Sequence, residues 1–281
     1  MKQNEFDNET KYRLFRTVKE ILHPSISKKN ISDYNIIIEE DILPVRVFYP
    51  KKVTGISKVI IMIHGNATIT SSMEKYSDIC KGLSIKSNSL VIALEYKEEK
   101  ESYTSMLEQI YNTVKYLYDR LERNNIDLNN IVLVGDSTGG MIISGINQLN
   151  KDEIKIQKEI LFYPTLSLDY FEAKEYPSLT ENKHFNFDLL DQLKDYYTFI
   201  ATSEELKSPI LNPLKENNNI PKTLLFVGKV DLVRDECKAY EEKYKDFVKY
   251  IELPFASHGF LKKMDHELEQ EVIDEITKFM V

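Results

Sequence analysis

Apolar runs of strand length recur at 58–63, 89–95, 130–134, 158–163, 222–228 and 247–253, and helix-forming stretches fill most of the intervals between them. The helical stretches fall near 71–86, 104–124, 138–150 and 233–246, with a last one near 262–280. Strands separated by helices are joined by crossovers rather than hairpins, so this order predicts an α/β fold with a mostly parallel sheet covered by helices on both faces. Ahead of it, Ile36-Ile37-Ile38 and Val45-Arg46-Val47-Phe48-Tyr49 flank a short segment containing Pro44. That arrangement predicts an antiparallel pair joined by a turn at the proline.

Two stretches break the alternation. Residues 1–33 show helical apolar spacing at Leu14, Phe15, Val18, Ile21 and Leu22, and residues 165–215 are aromatic-rich with one helix predicted over 188–200. The second stretch enters between the strand ending near Tyr163 and the strand starting near Thr223, at the C-terminal edge of the sheet, where open α/β folds bind ligands. Both stretches read as a cap over a cleft. No repeat, low-complexity linker or shift in composition marks a boundary, so one domain is expected over 1–281.

The 42% hydrophobic content of the 281 residues suffices for one sizeable core. A net charge of −8, with no basic block interleaved with aromatics, argues against nucleic acid as a partner. The first residues are polar and acidic, unlike a secretory leader, and the longest apolar run, 59–63, is too short to span a bilayer. The expectation is a cytoplasmic protein without a membrane span. Cys80 and Cys237 have neither metal-type nor redox-type spacing and read as free thiols, and no cluster of ligands calls for a metal or an organic cofactor.

The residues that carry chemistry sit at predicted strand ends. Val134-Gly135-Asp136-Ser137-Thr138-Gly139-Gly140 follows an apolar strand and forms a Gly-x-Ser-x-Gly elbow, in which glycines make room for a sharp strand-to-helix turn that presents the serine. A serine hydroxyl needs a base, an acid that orients the base, and donors for the oxyanion. Of the five histidines, His258 lies in a loop directly after a strand, whereas His266 sits among charges and His23 and His184 fall in the added segments. Asp231 follows the strand 224–228 and is favoured as the acid over Asp235, which lies in the first turn of the next helix, where a carboxylate is expected on dipole grounds alone. Asp136 is expected to brace the elbow. The chain order Ser137, Asp231, His258 is that of α/β-hydrolases.

Together with Ile63-His64-Gly65-Asn66-Ala67, these segments resemble the hormone-sensitive-lipase-like α/β-hydrolases, the bacterial family IV esterases. The resemblance is carried by Gly135-Asp136-Ser137-Thr138-Gly139-Gly140, Asp231-Leu232-Val233-Arg234-Asp235-Glu236 and His258-Gly259-Phe260, and extends over roughly 45–280. It implies an α/β-hydrolase fold with a helical cap built from the N-terminus and an insertion. It also implies Ser137, Asp231 and His258 as catalytic residues, oxyanion donors from the backbone N–H groups of Asn66, Ala67 and Thr138, and support of that loop by His64 and Gly65.

The chain departs from the family where Gly-Gly-Gly becomes Gly65-Asn66-Ala67, and where a Pro-containing segment is reduced to Glu95-Tyr96-Lys97-Glu98-Glu99-Lys100-Glu101. The expected activity is hydrolysis of small or short-acyl esters without a metal or cofactor, the partner being a small-molecule ester. The family adds a homodimer as an expectation. A deacetylase or an amidase such as a formamidase using the same triad, and a non-catalytic ligand-binding protein on the same fold, are the alternatives.

Overall fold

The structure is a computed structural model that describes residues 21–22, 31–38, 41–52, 56, 58–65, 73–96, 102–124, 126–127, 129, 131–151, 153–168, 187–217 and 219–281. An antiparallel pair, β1 (Ile31–Ile38) and β2 (Asp41–Phe48), opens the sheet. It is followed by β3 (Val59–Ile63), β4 (Leu90–Leu94), β5 (Ile131–Asp136), β6 (Lys158–Phe162), β7 (Lys222–Gly228) and β8 (Val248–Leu253). The 8-stranded sheet has the order β1-β2-β4-β3-β5-β6-β7-β8, and every pairing from β4 to β8 is parallel. This is the α/β-hydrolase fold class anticipated above.

Strand order decides where a site can form. From β3 the chain crosses to β4 on one side and returns to β5 on the other, so a switch point lies between the C-terminal ends of β3 and β5. Every residue of β3, β4 and β5 is buried, as expected of parallel strands covered on both faces. The cover comes from α1 (Ser77–Ser87) packed on α6 (His266–Met280), and from α2 (Tyr103–Arg123) packed on α3 (Thr138–Leu149). Helix α4 (Phe187–Ile200) belongs to the insertion, and α5 (Arg234–Lys243) joins β7 to β8.

Several boundaries differ from the sequence expectation. Pro44 lies within β2, opposite Asn35, rather than in the turn. The sheet tolerates it because the β2–β4 ladder ends at Val45↔Leu94; the Pro44 carbonyl accepts Glu95 N–H at 2.9 Å, and no ladder donor is required there. Residues 31–33 belong to the sheet, not to the cap. The last helix begins at His266 rather than near 262, because Phe260–Lys262 form a 3-10 turn and the Asp265 carboxylate caps α6 by accepting Leu268 N–H at 2.9 Å.

The described part of the insertion is stitched down at its base. Leu166 and Ser167 N–H donate to the buried Glu236 carboxyl at 3.2 and 3.0 Å, Leu168 N–H donates to Asn212 Oδ1 at 2.7 Å, and Leu214 N–H donates to the Leu166 carbonyl at 2.8 Å. Further along, Glu205 accepts Thr104 N–H at 3.1 Å and Thr202 N–H at 2.8 Å, tying the insertion to the first turn of α2. Tyr196 and Tyr197 are buried edge to face, with ring centroids 5.2 Å apart, so these two pack the cap onto the core. Tyr170, Phe171, Tyr176 and Phe185 lie outside the described residues, as do Leu14, Phe15 and Val18, while Ile21 and Leu22 are helical and buried.

Candidate active site

β5 ends at Asp136 and α3 begins at Thr138, so the turn from strand to helix is made by Ser137 alone. Its backbone has φ 51 and ψ −119, a conformation that residues with a Cβ rarely hold, and neighbours fix it there. Ser137 N–H donates to the Phe162 carbonyl at 2.9 Å, while the Ser137 carbonyl accepts Gly140 N–H at 3.0 Å and Thr165 N–H at 3.3 Å. Gly139 is needed for a steric reason: a Cβ on it would lie 2.1 Å from the Ile63 carbonyl oxygen, where the elbow meets the end of β3.

The loop after β8 brings His258 to this elbow, with Nε2 3.0 Å from Ser137 Oγ. The loop after β7 places Asp231 Oδ1 2.9 Å from His258 Nδ1 and 3.1 Å from Val233 N–H. The Asp231 side chain is fully buried and that of His258 is 9% exposed. Asp235 points elsewhere, with Oδ1 3.5 Å from the guanidinium of Arg234. Thus Ser137, His258 and Asp231, from three separate strand ends, form one hydrogen-bonded line.

Asp136 does more than brace its own turn. Its Oδ1 accepts Gly65 N–H at 2.7 Å, and its Oδ2 lies 3.1 Å from the hydroxyls of both Tyr76 and Tyr163. Gly65 N–H and the Tyr163 hydroxyl donate to this carboxylate, which is 1% exposed, and the Tyr76 hydroxyl is shared between it and the Gly65 carbonyl at 3.0 Å, so the elbow is tied to the start of the loop after β3. Burial pushes the phenols of Tyr76 and Tyr163 up, with the Asp136 charge adding to the effect, so both stay protonated as donors. Gly65 packs so tightly here that a Cβ would sit 2.5 Å from the Asp136 carbonyl and 3.0 Å from Ser137 Cβ.

His64 is fully buried between Tyr96, stacked at 4.8 Å and 18°, and Tyr76 at 5.5 Å. Its Nδ1 lies 3.2 Å from the Gly65 carbonyl, and Tyr96 donates to the His64 carbonyl. Burial lowers the affinity of the ring for a proton, which keeps it a neutral brace and not a base. Thr138 opens α3, so its N–H precedes the intrahelical ladder at the positive end of the helix dipole. Asn66 and Ala67 lie outside the described residues, beyond the anchored Gly65.

Tyr76, Tyr96 and Tyr163 were not singled out from the sequence as parts of a site. The one signal available was position, since Tyr163 closes an apolar strand run at the same sheet edge as Ser137 and Asp231. Among the described residues, no group of three or more His, Cys, Asp or Glu could hold a metal ion, and no helix is long and apolar enough to cross a membrane. Cys80 and Cys237 are buried free thiols in α1 and α5.

A family model described as the alpha/beta hydrolase fold matches residues 60–262, which takes in the elbow, the acid and the base together. The chain belongs to the α/β-hydrolase family. Within it, the motifs place the chain with the hormone-sensitive-lipase-like members. It is similar to an alpha/beta hydrolase of Acanthamoeba polyphaga mimivirus, 23% identical over 223 residues that cover 77% of this chain and 64% of that protein. An arylesterase of Saccharolobus solfataricus is 25% identical over 243 residues, covering 82% of this chain and 78% of the relative. Among solved structures, the thermostable carboxylesterase EstE1 from a metagenomic library aligns over 99% of this chain and 96% of its own, with TM-score 0.76 and 21% identity, a likeness of fold.

Proposed function

We propose that this α/β-hydrolase cleaves small carboxylic esters through an acyl-enzyme formed on Ser137. The observation that carries the reading is the pair of hydrogen bonds in series, Ser137 Oγ to His258 Nε2 at 3.0 Å and His258 Nδ1 to Asp231 Oδ1 at 2.9 Å. Relatives named as arylesterase and carboxylesterase support ester hydrolysis as the reaction class.

In this mechanism His258 Nε2 takes the Ser137 hydroxyl proton as Oγ attacks the ester carbonyl carbon. Asp231 holds the Nδ1–H tautomer and stabilises the imidazolium that forms. The carbonyl oxygen becomes an oxyanion held by Thr138 N–H and by the N–H groups of Asn66 and Ala67, each such donor contributing about 3 kcal/mol to the transition state. Collapse of the tetrahedral species breaks the C–O bond, and the imidazolium returns its proton to the departing alcohol. Water, deprotonated by His258, then attacks the acyl-enzyme and releases the carboxylic acid and a free Ser137. In this reading the stretches before β1 and at 165–215 serve as a cap on a single domain. The buried Glu236 and Asn212 anchor the base of the second segment beside Ser137.

A short-chain p-nitrophenyl ester and a fluorophosphonate probe test the reading. Turnover and labelling by the intact protein, both abolished in Ser137→Ala, are expected. Undiminished turnover in that variant would overturn it.

A further inference from the structure

We propose that Tyr163 is a positioning residue for this hydrolysis, fixing the base and the oxyanion loop against one another; the proposal rests on the ester-hydrolase reading above. Tyr163 is the first residue beyond β6 and has φ 38, a left-handed conformation that residues with a Cβ seldom adopt. Its N–H holds the turn by donating to the Phe226 carbonyl at 2.6 Å. Its side chain reaches the His258 imidazole and the Asp136 carboxylate.

Two halves of the catalytic apparatus meet on this residue. Its ring packs on the His258 imidazole with centroids 4.9 Å apart and the planes tilted by 59°, and Phe260 packs on the same ring at 4.8 Å and 72°. Its hydroxyl donates to Asp136 Oδ2 at 3.1 Å, while Asp136 Oδ1 takes the Gly65 N–H at 2.7 Å. Asp136 is bonded directly to Ser137, so base, nucleophile and oxyanion loop are linked in a closed circuit through one phenol. Tyr163 is 0% exposed and therefore touches no substrate. It acts through His258 and Asp136.

The ring packing limits how far the His258 imidazole can turn between Ser137 and Asp231 as it takes and returns the proton. Holding the base in register lowers the barrier without tightening substrate binding. The hydroxyl acts on the other half: without it Asp136 Oδ2 is left with the Tyr76 hydroxyl alone, which is shared with the Gly65 carbonyl at 3.0 Å, and the carboxylate that holds Gly65 is less firmly fixed. A shift of the donor loop by a fraction of an ångström weakens the oxyanion contacts while leaving the acyl and alcohol subsites intact.

Tyr163→Phe keeps the ring and removes the hydroxyl, and Tyr163→Leu removes both. With a p-nitrophenyl ester, Tyr163→Phe is expected to lower kcat by about tenfold at unchanged KM, and to slow fluorophosphonate inactivation in parallel. Tyr163→Leu is expected to lower kcat by about a further tenfold, again without a change in KM. Urea midpoints report folding separately from catalysis, and Tyr163→Phe is close enough in shape to decide the proposal alone. A Tyr163→Phe enzyme within about twofold of wild type in kcat, or one whose loss falls in KM, overturns it even if the protein is less stable. Tyr163→Leu no slower than Tyr163→Phe overturns the role of the ring. An inert wild-type protein that resists the probe instead sinks the hydrolase reading.

Discussion

Asp231 makes both its contacts through one oxygen: Oδ1 lies 2.9 Å from His258 Nδ1 and 3.1 Å from Val233 N–H, whereas Oδ2 is buried with no hydrogen-bond partner among the described residues. The carboxylate is thus committed to the imidazole, and an amide in its place offers that ring an N–H or a weaker acceptor. Asp231→Asn is expected to lower kcat by about 10⁴ with little change in KM, through loss of the productive tautomer. Asp235→Asn, whose carboxylate lies 3.5 Å from the Arg234 guanidinium, is expected to stay within about threefold of wild type. Initial rates on one chromogenic ester separate the two, and comparable losses would overturn the choice of Asp231.

The order Ser137, Asp231, His258 could be read from the chain because the chemistry demands those residue types and each follows an apolar strand run. The three meet within 3.0 Å per contact, since a parallel sheet delivers all its strand ends to one edge. The tyrosines around Asp136 were not legible. A tyrosine at the end of an apolar run looks like core filling, and only the tertiary fold places the hydroxyls of Tyr76 and Tyr163 3.1 Å from one carboxylate 60 and 27 residues away in sequence. Pro44 misled for a related reason: the proline signals a turn locally, but β4 ends just where a ladder donor would be required.

Gly139 tests how rigidly the elbow abuts β3. A methyl group there would meet the Ile63 carbonyl oxygen at 2.1 Å and the His64 carbonyl carbon at 2.9 Å, both backbone atoms that cannot swing aside. Gly139→Ala is expected to destabilise the protein by more than about 3 kcal/mol or to prevent folding, whatever the alanine gains in helix propensity. Gly145→Ala in the same helix meets side chains alone, Leu107 at 3.0 and 3.1 Å and Ile210 at 3.6 Å, and is expected to cost far less. Urea denaturation of the two variants checks the contrast, and equal midpoints would contradict it.

Glu236 carries the base of the insertion. Its carboxyl is fully buried, and burial pushes its proton affinity well up even though Leu166 and Ser167 N–H oppose the shift. Glu236→Ala strands two buried N–H groups, each costing about 1–3 kcal/mol, so a clear drop in the urea midpoint is expected. Glu236→Gln keeps one acceptor oxygen and should fall between that variant and wild type. Unchanged midpoints would mean that the segment at 165–168 is held by other contacts.

Glu159 makes folding stability depend on pH far from the active site. It lies on β6 with 0% exposure, and burial raises its carboxyl from the ordinary 4.5 to about 7 against hydrogen bonds from Asn147 and Thr223. Thr223 Oγ1 lies 2.8 Å from Glu159 Oε1 and 3.0 Å from the Pro221 carbonyl, but the hydroxyl has one proton to give. A protonated Glu159 resolves the conflict by donating to Thr223, which then donates to Pro221, while Asn147 Nδ2 donates to Oε2 at 2.8 Å. Because the folded-state pKa is raised, the contribution to stability is full below pH 4.5, declines as the unfolded chain ionises, and is gone once the pH passes about 7. The loss across that window is about 3 kcal/mol. Glu159→Gln mimics the neutral form and should abolish this slope, gaining on wild type as the pH rises from 5 to 8. Urea unfolding of both proteins across that range measures it, and parallel curves would show that Glu159 is accommodated as an anion.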